Sequence, residues 1–74
     1  MHTIELTKAP AELAKVLKFE GIVESGGQAK LAITAGQVLV NGEVETRKGR
    51  KINNGDTITF GAETWLVECV GEVE

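Results

Sequence analysis

Cysteine, histidine, proline and tryptophan occur once each in these 74 residues, and tyrosine does not occur at all. The single cysteine, Cys69, has no partner for an internal disulfide, which fits a reducing compartment, and its place in a C-terminal apolar stretch reads as a small buried hydrophobe in the last strand. With His2 as the lone histidine, no pair of histidines or cysteines stands at metal-ligand spacing. No nucleophile has an evident base: Ser25 is better explained as a helix cap, and Cys69 has no cation near it in sequence. The glycines form neither the G-x-G-x-x-G order nor a G-K-[ST] ending, and the final Val-Gly-Glu-Val-Glu lacks the Gly-Gly that sulfur- or adenylate-accepting carriers require. The expectation is a chain that is not an enzyme and takes no cofactor. No run approaches the roughly 18 apolar residues of a membrane span, and the opening MHTIELTKAP lacks a basic region followed by a long apolar stretch. A cytoplasmic protein with no membrane partner is expected.

A composition of 42% hydrophobic and 26% charged residues is that of an ordinary globule. The length suits one domain, 1–74, although chains of this size bury only about 60% of their unfolded surface. The net charge of -3 is unevenly spread: residues 25–51 carry +3, residues 1–24 carry -1 and residues 52–74 carry -5. An acidic average thus hides a local positive field, and the local field is what a polyanion meets.

Residues 2–6 alternate polar and apolar side chains and predict a short strand. Pro10 suits the first turn of a helix whose buried face is Leu13, Val16 and Leu17, with Glu12, Lys15 and Lys18 outside, and which ends near residues 19–21 on a left-handed glycine. Ser25 with Gln28 three positions on is a capping box that starts a second helix, with Ala29, Ala32 and Ile33 as its inner stripe. Gly36 stops that helix. Val38, Val40 and Val44 around Asn41-Gly42 then give a strong hairpin signal. Residues 53–56 read as a turn, 57–60 as a strand, 61–64 as a connection and 65–70 as a final strand. The fold class expected is α+β: two early helices packed on a short, mostly antiparallel sheet.

Residues 13–60 resemble the S-four RNA-binding domain family, named for the fourth protein of the small ribosomal subunit. The resemblance rests on Leu17, Ser25, Ala29-Lys30, Gly36, Val38, Val40-Asn41-Gly42, Val44 and Gly55-Asp56, in that order. The segment 24–30 with Thr46-Arg47-Lys48 downstream looks most like small free-standing bacterial members of the YbcJ type. This resemblance implies an RNA-binding surface on the second helix and the hairpin after it. Many family members carry an arginine directly after the helix-starting serine, where this chain has Gly26. Two readings of Gly26 and Gly27 stay open: first-turn amides that accept a phosphate, or paired glycines that let the helix start pack closely on another element.

The candidate RNA-binding residues follow from the same stretch. Arg47, Lys48, Arg50 and Lys51 place four cations in five positions, a pattern that is a solvated loop when alone but a phosphate-binding segment when it follows such a hairpin. Lys30, Thr34 and Gln37 are spaced to share one polar face. Ser25 and Gln28 serve either as caps or as contacts, and Asn41 either takes the left-handed position of its turn or touches RNA. With Phe19, Phe60 and Trp65 as the only aromatics, and Phe60 and Trp65 read as core, structured RNA fits better than stacked single strand; ribosomal and transfer RNA are both compatible. The alternative is a protein-interaction module on a ribosomal or RNA-processing assembly, with the acidic C-terminal third facing a basic, ribosome-associated partner.

Overall fold

A computed structural model describes residues 1–7 and 10–70. In chain order the elements are β1 (His2–Leu6), β2 (Ala11–Glu12), α1 (Leu13–Phe19), α2 (Gly26–Thr34), β3 (Val38–Val40), β4 (Glu43–Val44), β5 (Lys51–Ile52), β6 (Thr57–Phe60) and β7 (Glu63–Cys69). Five strands form one sheet in the order β1-β7-β6-β3-β4, and β2 pairs with β5 in a separate two-stranded ribbon. Every pairing is antiparallel except β1 with β7, where His2 lies opposite Trp65 and Leu6 opposite Cys69. The result is the α+β fold expected, with two early helices and a mostly antiparallel sheet.

The core is one apolar cluster. Ile4, Val38, Val40, Ile58 and Val67 come from the sheet, Leu13, Val16 and Leu17 from α1, Ala29, Ala32 and Ile33 from α2, and Ile52 from β5. Leu6, Phe60 and Trp65 pack against it while partly exposed, so the core reading of the last two holds in part. Cys69 lies in the last strand and is only half-buried. Trp65 also meets the ring of His2 at 5.5 Å between centroids, and His2 Nε2 bonds the Glu63 carboxylate.

Three local expectations shift. Pro10 precedes the helix instead of entering it, because Ala11 and Glu12 are drawn into pairing with Ile52 and Lys51 before α1 begins at Leu13. The cap of α2 is as expected at Ser25, whose Oγ accepts from the Gln28 amide at 3.1 Å, but the Gln28 side chain reaches one residue further back, to the Glu24 amide at 2.9 Å. The third shift is in the hairpin. A two-residue turn with positive φ at both Asn41 and Gly42 pairs Leu39 with Val44. Opposed residues share a face, so Val44 follows Leu39 away from the Val38 and Val40 side and is exposed. Glu45, just after this strand, donates its amide to the Val38 carbonyl at 2.9 Å and turns its side chain inward.

Candidate nucleic-acid interface

The buried carboxylate of Glu45 organises the basic loop. Its Oε2 accepts from the Arg47 amide and from Arg47 Nε, both at 2.9 Å, while Oε1 accepts from Arg47 Nη2 at 3.1 Å and from Arg50 Nη1 at 2.7 Å. These bonds, first from the Arg47 side chain, then from its amide, then from Arg50, hold the Glu45 carboxyl far below the usual carboxylate range. The same contact raises the pKa of Arg47. Two of the four cations in the loop are therefore tied down, and unequally. The Arg47 side chain is 73% exposed and the Arg50 side chain 30%, against 8% for Glu45. A guanidinium has five N–H donors, and Arg47 gives two to Glu45, so the rest face outward for another oxyanion. Arg50 acts mainly as a clamp.

The loop is also fixed by its backbone. The Glu12 side chain that begins α1 makes no capping bond; instead the Leu13 amide donates to the Arg50 carbonyl at 2.8 Å and the Ala14 amide to the Lys48 carbonyl at 3.4 Å. Main-chain oxygens of the basic segment thus take the role of a side-chain cap. The ribbon of β2 and β5 adds a second attachment, with Lys51 Nζ 3.7 Å from Glu12. Lys30 and Lys48 are exposed and form no salt bridge among the described residues.

The candidate residues fall into three places. Lys30 and Gly26 line a groove of about 220 Å³ between the helices, together with Glu12 and Ala14, so they adjoin the first turn of α1 where Lys48 and Lys51 are anchored. Gln28 and Gln37 line another groove with Leu31 and Phe60. Lys30, Thr34 and Gln37 do not share a helical face: α2 stops at Thr34, Gly36 turns the chain at φ 79°, and Gln37 lies beyond it. The Thr34 hydroxyl donates to the Lys30 carbonyl at 2.9 Å. Asn41 sits at the hairpin tip with φ 55°, donates from Nδ2 to Asp56 at 3.0 Å and accepts from the Thr57 amide at 3.0 Å, which is the turn role in full. At Gly26 a Cβ would meet no atom within 4 Å, and at Gly27 only Ser25 Oγ at 3.8 Å. Close packing does not explain the paired glycines.

A helix pair followed by a tight hairpin, with a basic loop folded back on the first helix, defines a small S4-type module. The chain belongs to the S4 domain family, whose model matches residues 4–68. It is 52% identical over 65 residues to YbcJ of Escherichia coli (strain K12), an alignment covering 86% of this chain and 93% of that protein. The solution structure of Escherichia coli YbcJ, described as revealing an alfaL motif involved in RNA-binding, superposes with a TM-score of 0.70 at 51% identity over 92% of this chain and 87% of that one. A further relative, the "Probable ribosome maturation protein RlbA" of Bacillus subtilis (strain 168), is 41% identical over 46 residues, 62% of this chain and 65% of that one.

The residue that sequence reading passed over is Glu45, counted there only as a negative charge. Its signal was present in the register: through a two-residue Asn-Gly turn, position 45 falls opposite Val38, on the core side.

Proposed function

We propose that this chain is a noncatalytic, cytoplasmic RNA-binding protein that contacts structured RNA at the corner where α2, the hairpin and the loop of residues 45–51 meet. The observation that carries this reading is the fixed loop. Two of its cations are held by a buried carboxylate and its main chain is bonded to α1, so little loop freedom remains to be lost when phosphates dock. Lys30, Lys48, Lys51 and the free edge of Arg47 provide the attraction. Ser25 and Gln28 hold the start of α2, leaving the amides of Gly26 and Gly27 open to a phosphate approaching without side chains in its way. Thr34, Gln37 and Asn41 are occupied by backbone or lie apart, and belong to the rim of the contact. Support comes from the S4 family and from the RNA-binding motif described for YbcJ.

The test is the double variant Lys30→Glu, Lys48→Glu, read by fluorescence anisotropy with a labelled RNA hairpin. Arg47 is left alone, since a carboxylate there would sit beside Glu45. Binding should be lost with the thermal transition kept; a folded double variant that binds as the wild type does removes this surface from the reading. A second reading, docking on a ribosomal assembly through the acidic residues after position 52, draws on the likeness to RlbA. It predicts that affinity follows those acidic residues and survives the lysine reversals.

A further inference from the structure

Phe19 closes α1 with the residue 76% exposed, outside the core that takes Leu13, Val16 and Leu17 from the same helix. It borders a groove with Leu6, Pro10, Ala11 and Val16, and lysines flank it. Lys18 Nζ stands 5.9 Å from the ring centroid, and Lys15 lies one helical turn back on the same side. Lys15 lines two grooves: one shared with Lys18 and Lys30 between the helices, and one shared with Phe19 and Lys51 along the other flank of α1. Acidic groups are present as well. Glu12 borders both grooves but is engaged with Lys51, and Glu20 borders the second. An exposed aromatic ring beside an apolar groove and flanked by Lys15 and Lys18, with Lys30 and Lys51 leading on to the basic corner, matches an unpaired nucleotide: a base has a face to stack, and the phosphates beside it need positive partners.

We propose that Phe19 is a stacking platform for one unpaired base at the edge of the bound RNA, with Lys15 and Lys18 taking the flanking phosphates. This rests on the RNA-binding reading above and extends it: the duplex part of the ligand meets the corner, and a single-stranded extension runs along α1. Aromatic content alone argued for purely structured RNA because it could not show which ring stays outside.

Two labelled hairpins of identical stem test this, one blunt and one carrying a three-adenosine extension, with binding read by anisotropy. The wild type should prefer the extended hairpin by about tenfold, as one base–aromatic stack supplies. Phe19→Ala should remove most of that preference, leaving only what Lys15 and Lys18 add, with the blunt hairpin bound as before, and Phe19→Trp should keep it. Phe19→Leu, apolar but without a π face, should behave as alanine does. A wild type that binds both hairpins equally overturns this proposal alone, as does a Phe19→Ala variant that keeps the preference or weakens both ligands alike. A wild type that binds neither overturns it together with the reading it rests on.

Discussion

Counting cations in the loop and counting cations available to RNA give different salt dependences, and the difference is measurable. Phosphate contacts displace counterions, so log affinity falls with log salt by about 0.7 to 0.9 per contact. Arg50 is held against Glu45 with the lower exposure, which for a blunt RNA hairpin leaves Lys30, Arg47, Lys48 and Lys51 as the contributors, the 3.7 Å pair of Lys51 with Glu12 being exposed and open to exchange. Four contacts give a slope of about -2.8 to -3.6, so raising salt from about 50 to 200 mM weakens binding about 50- to 150-fold. Single variants sharpen the comparison because the RNA stays the same. Lys48→Gln should lower the slope magnitude by about 0.7 to 0.9, one contact's worth. Arg50→Gln should leave the slope within error and lower the melting temperature instead, because it removes a bond to a buried carboxylate. Anisotropy titrations at five or six salt concentrations, with thermal melts in parallel, provide both numbers. If Arg50→Gln flattens the slope as much as Lys48→Gln does, Arg50 touches phosphate and the division between clamp and contact is wrong.

Two further outcomes follow from the same geometry. The Glu45 carboxyl titrates lower in the folded chain than its ordinary value of about 4.5; its contribution is present above that value and is lost as pH falls below it. Melting curves from pH 7 downward should therefore fall more steeply for the wild type than for Glu45→Gln, and parallel curves would contradict the assignment. Replacing Gly26 and Gly27 with alanine places each Cβ in open or ordinary contact, so the pair should gain about 1 kcal/mol of stability, seen as a higher melting temperature. The same variant should bind RNA more weakly if the first-turn amides meet a phosphate, and unchanged affinity would end that reading.

What was legible in the sequence depended on the range of the interaction. β1, the Ser25 cap, the Asn41-Gly42 turn and the strand at Thr57–Phe60 are each specified by neighbours a few positions apart, and each stands where the pattern put it. The β2 to β5 ribbon was not legible, since two-residue strands carry no periodicity and Ala11 pairs with a residue far along the chain. That ribbon is also what displaced Pro10 from the helix. The polar face drawn through Lys30, Thr34 and Gln37 failed because it extended a 3.6-residue repeat past the glycine that ends the helix. Of the candidate site, the loop's cations were visible as composition; which of them remain free was not, because that is decided by one inward carboxylate.

The parallel pair at the sheet's edge bears on how the chain is assembled in time. β1 is synthesised well before its partner β7, with Ile4 and Val67 fully buried between them. The helices and the β3 to β4 hairpin join near neighbours in sequence and can form while synthesis proceeds, whereas β1 must wait until β7 has been made. Until then β6 offers an open edge and the underside of the helices is incompletely covered, a state prone to pairing with other chains. The basic corner is thus built from the early, local part of the fold, and its permanence depends on the latest contact to close.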